Sequence, residues 1–116
     1  MRLRSLLFVP GDRPERMEKA LELGADALIL DLEDSVSLAN KGAAREAVRA
    51  FVARGAGGPA LFVRINPLDS ALAADDLAAL AGLPLDGVTL PKAEGGASVE
   101  ELIARLPGDY GVLPIA

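Results

Sequence analysis

Three carboxylates crowd four positions in Asp31-Leu32-Glu33-Asp34, directly after the apolar run Ala27-Leu28-Ile29-Leu30. That run has the length and composition of a strand buried on both faces, so the acidic group stands where such a strand meets water. Carboxylates this close repel one another and lose hydration; a cation or a cationic substrate relieves both costs. In parallel α/β sheets the carboxyl ends of strands are where ligands bind. The competing reading is an acidic loop that caps the following helix and faces solvent.

Other polar groups recur at corresponding points: Gly11-Asp12-Arg13 after the first apolar run, Arg64-Ile65-Asn66 after the third, Lys92 after the fourth. A guanidinium that ends an apolar strand is costly unless paired. The planar fork of Arg64 suits a carboxylate or an oxalate-like fragment; alternatively Arg64 pairs with Glu33 or Asp34 and holds no ligand. Lys92 is either a substrate contact or a cation that balances the acidic cluster. Pro10-Gly11 either brings backbone close to a ligand or makes a plain turn. Arg13, Arg16 and Lys19 either face an anion such as a phosphate at a helix N-terminus or form a solvated helix face. Lys41 and Arg45, spaced i,i+4, read as another solvated face or as partners of Asp34 or Glu33.

The elements that must position these groups alternate in type. Short apolar runs over Ser5–Val9, Ala27–Leu32, Ala60–Ile65, Gly87–Leu90 and Gly111–Ile115 lack period-two alternation and read as buried strands. Between them lie amphipathic stretches with helix punctuation. Asp12 opens the first, with Pro14 in its first turn and Gly24 as a stop; the second spans about Ala39–Ala53 and the third about Ala73–Ala81. The fourth opens at the capping box Ser98-Val99-Glu100-Glu101 and ends at Pro107-Gly108. β-α four times and then one more strand argues a parallel α/β sheet. Two architectures accept this order: a doubly wound five-stranded domain, or the first half of an eight-stranded β/α barrel, which needs about 250 residues. A doubly wound receiver-type domain would want its acidic pair after the first strand, where this chain has Pro10-Gly11. A last strand at Ala116 with no covering helix favours the half barrel. The expectation is therefore the N-terminal half, about four and a half βα units, of a TIM-type (β/α)8 barrel, with residues 1–116 one truncated domain.

Composition narrows the function classes. The 116 residues are half apolar and carry a net charge of −5, from 12 Lys and Arg against 17 Asp and Glu. No basic stripe and few aromatics argue against nucleic acid. Without Cys or His, thiolate and imidazole ligands are excluded within this sequence, and a metal would take oxygen ligands, which favours Mg²⁺, Mn²⁺ or Ca²⁺. The apolar start is too short for a signal peptide and nothing is long enough to cross a membrane, so a cytoplasmic protein is the expectation.

Arg4-Ser5-Leu6-Leu7-Phe8-Val9-Pro10-Gly11, Lys19-Ala20, Asp26, Leu30-Asp31-Leu32-Glu33-Asp34-Ser35-Val36, Lys41, Ala44-Arg45, Val63-Arg64-Ile65-Asn66 and Leu90-Pro91-Lys92-Ala93-Glu94 together resemble the citrate lyase beta-subunit family. That family includes malyl-CoA lyases and belongs to the Mg²⁺-dependent aldolases with barrels of the phosphoenolpyruvate/pyruvate type. The resemblance implies C–C cleavage of a 3-hydroxy-acyl thioester, citryl or malyl, to acetyl thioester plus oxaloacetate or glyoxylate. It implies that Arg64 grips the oxo acid and that Glu33 and Asp34 act on Mg²⁺ through its water. Pro10, Gly11, Arg13, Lys19 and Lys92 become contacts to the substrate or to its thioester carrier, CoA or an acyl carrier protein. The family's direct Mg²⁺ ligands and its acid/base carboxylate have no counterpart within these residues. The alternative is thus a non-catalytic remnant or binding module with an acidic rim. A homo-oligomer is expected, because a half barrel leaves strand edges and one sheet face uncovered.

Overall fold

The computed structural model describes residues 5–54, 58–68, 70–91, 104–105 and 111–112. Five strands form one parallel sheet: β1 (Leu6–Pro10), β2 (Ala27–Asp31), β3 (Ala60–Arg64), β4 (Gly87–Thr89) and β5 (Gly111–Val112). They lie in the order β1-β2-β3-β4-β5, each hydrogen-bonded to its predecessor in the chain. This sequential order is that of a β/α barrel; a doubly wound sheet would reverse direction partway. The connections carry α1 (Pro14–Ala20), α2 (Lys41–Ala53) and α3 (Leu72–Leu80). The expected fourth helix lies outside the described residues except Ala104 and Arg105, which are helical. None of the described helices is long and apolar enough to cross a membrane.

Helix boundaries follow local chemistry, with two differences from expectation. Pro14 sits in the first turn of α1, where its missing N–H costs nothing, but Arg13 rather than Asp12 is the N-cap residue. Asp12 instead accepts a hydrogen bond from Asn40 Nδ2 at 3.2 Å. A 3₁₀ turn over Leu38–Asn40 precedes α2, which starts two residues later than its apolar pattern suggests. Gly24 and Gly82 adopt φ of 74° and 78° and redirect the chain after α1 and α3.

Alternation along each strand divides the core. Val9, Leu28, Leu30, Leu61, Val63 and Val88 pack with Met17, Val48, Val52, Leu77 and Leu80 of the helices. On the opposite sheet face, Ala27, Ile29, Ala60 and Phe62 form a second, smaller cluster. That face is therefore buried over β2 and β3 rather than uncovered throughout; exposure concentrates on β1, at Leu6 and Phe8. The fifth positions of β1, β2 and β3 are in register, Pro10 beside Asp31 and Asp31 beside Arg64, and Arg64 pairs onward with Thr89. One rank of residues thus crosses the carboxyl end of the sheet.

The β1–α1 turn is anchored beneath this rank. Gly11 donates a 2.8 Å hydrogen bond to the Asp31 carbonyl, and a Cβ there would stand 2.7 Å from that oxygen and 2.9 Å from Val48 Cγ2. The close approach that selects glycine is to the protein's own backbone. Gly11→Ala is expected to destabilise the fold by about 1–3 kcal/mol, measured as a lower denaturant midpoint with an unchanged m-value.

Candidate functional site

Arg64 lays its guanidinium across the strand gap onto Asp31. Nε donates to Oδ1 and Nη2 to Oδ2, both at 2.8 Å. This parallel fork is the strongest geometry open to the pair, and both side chains are largely withdrawn from water. The guanidinium carbon stands 5.1 Å from the centroid of the Phe8 ring on β1, a cation–π distance. Glu33 Oε1 lies 3.8 Å from Arg64 Nε. Among the described residues Nη1 has no protein partner.

The loop after β2 completes the Asp31 carboxylate. Glu33 N–H donates to Oδ1 at 2.9 Å; Ser35 donates to Oδ2 through its N–H at 2.9 Å and its hydroxyl at 2.7 Å. Burial alone would raise the Asp31 pKa. The hydrogen bonds from Arg64, from the Ser35 hydroxyl and N–H, and from Glu33 N–H overcome it and hold the group at about 2. Glu33 moves the other way: burial, helped by the charges of Asp31 and Asp34, raises it against the pull of Arg64 and Lys41. A cavity of about 390 Å³ opens over the pair, lined also by Phe8, Pro10, Arg16 and Ser35.

A second polar network stands behind the loop. Lys41, at the start of α2, is buried; its Nζ donates to the carbonyls of Leu32 at 2.8 Å and Glu33 at 2.6 Å. Asn66 Nδ2 donates to the same Leu32 carbonyl at 2.9 Å and to Asp76 Oδ2 at 2.6 Å. Asp76, fully buried on α3, also accepts from Asn66 N–H and from Arg45 Nε, both at 2.8 Å. Lys41 and Arg45 are therefore not a solvated face, and neither pairs with a carboxylate of Glu33 or Asp34. The β2–α2 loop folds back over the first turns of α2 and gives one its carbonyls, while α3 gives the other a buried carboxylate.

The family model described as HpcH/HpaI aldolase/citrate lyase matches residues 4–110. The chain belongs to this family. It is 41% identical over 100 residues to the citrate lyase subunit beta of Leuconostoc mesenteroides subsp. cremoris, covering 85% of this chain and 33% of that protein. With a (3S)-malyl-CoA thioesterase of Cereibacter sphaeroides it shares 36% identity over 105 residues, 90% of this chain and 37% of the other. The chain thus spans about a third of the length of the curated relatives it matches. The M. tuberculosis citrate lyase beta subunit complexed with oxaloacetate and magnesium superposes with a TM-score of 0.76 at 45% identity, over 94% of this chain and 45% of that one. M. tuberculosis CitE in complex with magnesium, acetoacetate and coenzyme A gives 0.75 at 43% identity, over 97% and 39%.

Within this aldolase/citrate lyase fold the strand ends bring some candidate residues together and leave others apart. Arg64, Glu33 and Pro10 meet at one rim, and the exposed Asp34 is close enough for its charge to bear on both Glu33 and Arg64. Arg64 nevertheless pairs first with Asp31, which sequence reasoning placed in the acidic group without giving it this role. The available signal was position: Asp31 and Arg64 each close a five-residue strand. Arg13, at the N-cap, and Lys19, on α1, are exposed. Lys19 borders an adjoining groove of about 280 Å³ with Leu7 and Leu23, which shares Phe8, Val9, Pro10 and Arg16 with the cavity over Arg64. Gly11 is buried under the rim, against the Asp31 carbonyl and the side chains of Val48 and Leu32. Lys92 lies outside the described residues. No three acidic side chains among the described residues converge in a metal-holding group.

Asp31 gives the site an acid signature. Its pKa is lower folded than unfolded, so its stabilisation is complete above the ordinary carboxylate range and is lost as pH falls from about 4 through about 2. About 2 kcal/mol of folding stability should disappear across that window. Urea titrations from pH 5 to pH 2 should show the loss, and Asp31→Asn should flatten this part of the profile.

Proposed function

We propose that the chain carries the oxo-acid-binding rim of a Mg²⁺-dependent lyase that cleaves a C–C bond in a 3-hydroxy-acyl thioester, citryl or malyl. The observation that carries the reading is Arg64: two of its nitrogens are fixed by Asp31, Nη1 has no partner among the described residues, and the residue lines an open cavity. A planar carboxylate there takes a charge-assisted hydrogen bond from a donor that is already oriented. Phe8 shields one face of the guanidinium, and Arg16 adds positive charge at the cavity wall. Structures of the M. tuberculosis relative with oxaloacetate, magnesium and coenzyme A agree in ligand class.

In this reading Arg64 holds the carboxylate of the oxo-acid portion and stabilises the alkoxide left when the 3-hydroxyl loses its proton; the alkoxide collapses to the carbonyl as the C–C bond breaks, and the electron pair passes to the enolate of the acetyl thioester, which then takes up a proton. Glu33 and Asp34 are assigned the role of accepting hydrogen bonds from water around the metal, a role their acidity and their place after β2 support. Mg²⁺, when bound, supplies Lewis-acid stabilisation of the developing oxygen charge. The described residues do not provide a direct ligand set for it. Pro10 lines the oxo-acid cavity, and Lys19 with its neighbouring groove is the candidate contact to the thioester carrier, CoA or an acyl carrier protein.

Calorimetric titration of the purified chain with oxaloacetate should show binding that Arg64→Ala weakens by about 10- to 100-fold. Unchanged affinity in that variant would remove Arg64 from the role. The same chain, given Mg²⁺ and malyl-CoA or citryl-CoA, is expected to show no appreciable turnover, followed as release of acetyl-CoA. Robust turnover would show that the binding-only expectation is wrong and that ligation is complete within these 116 residues.

A further inference from the structure

We propose that Lys41 is a positioning residue for Arg64, acting through a single peptide unit. The peptide between Leu32 and Glu33 has its carbonyl on Lys41 Nζ at 2.8 Å and its N–H on Asp31 Oδ1 at 2.9 Å. Its dipole therefore runs from a buried ammonium to a buried carboxylate, with the negative end on the cation and the positive end on the anion. The next carbonyl, of Glu33, also accepts from Nζ, at 2.6 Å. Lys41 so fixes the backbone whose N–H groups, at Glu33 and Ser35, fill the lone pairs of Asp31 that Arg64 leaves open. Asn66 supports the Leu32 carbonyl from the other side but does not touch that of Glu33.

A buried ammonium with two backbone carbonyls as partners and no carboxylate partner among the described residues is unusual, because desolvation of the charge is only partly compensated. Without it the Leu32 carbonyl keeps Asn66 as a side-chain donor and the Glu33 carbonyl keeps the longer hydrogen bond from Val36 N–H at 3.3 Å, so the N–H groups that hold the Asp31 carboxylate in the plane of the Arg64 fork are less firmly placed. The guanidinium then gains freedom, and Nη1 is no longer aimed before the ligand arrives. The functional part of this inference rests on Arg64 as the oxo-acid grip; the structural part does not.

The test compares Lys41→Met, Lys41→Arg and a core control on the same helix, Val52→Ala. Two readouts are taken: solvent exchange of the Arg64 Nε–H by ¹H–¹⁵N NMR, and oxaloacetate affinity. Lys41→Met should speed that exchange several-fold and weaken oxaloacetate by roughly tenfold, Lys41→Arg should restore much of both, and Val52→Ala should move neither. If Lys41→Met does not fold, Lys41→Gln, which keeps a donor and loses the charge, takes its place. Unchanged exchange in the Lys41 variant, or equal changes in Val52→Ala, would overturn the proposal. If the parent chain does not bind oxaloacetate, or Arg64→Ala binds it equally well, the functional reading fails, and Nε–H exchange alone still decides the positioning role.

Discussion

A guanidinium and a carboxylate at the ends of neighbouring buried strands can remain there only as a pair. That constraint organises the polar half of this structure. Arg64 takes one edge of Asp31, and the β2–α2 loop must supply donors to the rest of the carboxylate. The loop's carbonyls then turn inward, where water is excluded, and need donors of their own from Lys41 and Asn66. Asn66 in turn leans on Asp76, whose second oxygen takes Arg45. Each partner creates the need for the next, so one ion pair at the rim accounts for buried polar residues on α2, on α3 and after β3.

The apolar half follows simpler rules, and most of it could be read from the sequence. Continuous runs such as Ala27-Leu28-Ile29-Leu30 are dictated by burial on both sheet faces, and the observed strand differs from the run by one residue at its end. Helices α2 and α3 show their inward faces through Ala44, Val48, Val52 and through Ala73, Leu77, Leu80. Strand order was also legible, because βα repetition without a switch point leaves sequential pairing as the simplest arrangement.

The polar network was not legible, for a physical reason. Lys41 and Arg45 are spaced like a solvent-facing pair, and nothing local marks them as buried. Their environment is made by a loop that doubles back and by a carboxylate 31 residues further on. Asp76 looks like the second of two acidic residues on a helix surface, yet Asp75 is exposed and Asp76 is fully buried. Spacing reports a helix face; it does not report which neighbour covers that face. Arg64 was conspicuous because its cost is local, a charge ending an apolar strand. Its partner was harder to single out, because three acidic candidates stand within four residues and only strand register chooses Asp31.

The sequential strand order also has a kinetic side. Every strand pairs with the one that precedes it in the chain, so the sheet can be extended unit by unit as a nascent chain emerges, without waiting for a distant segment. Asp31 is then the exposed end of the growing sheet for as long as β3 is missing, an acidic strand terminus with no counter-charge. The arrival of Arg64 neutralises it in the same event that pairs β3 with β2. Docking of the third strand and assembly of the rim are one step, and a chain that stalled before residue 64 would present an unpaired acidic edge, which disfavours association with another copy of itself.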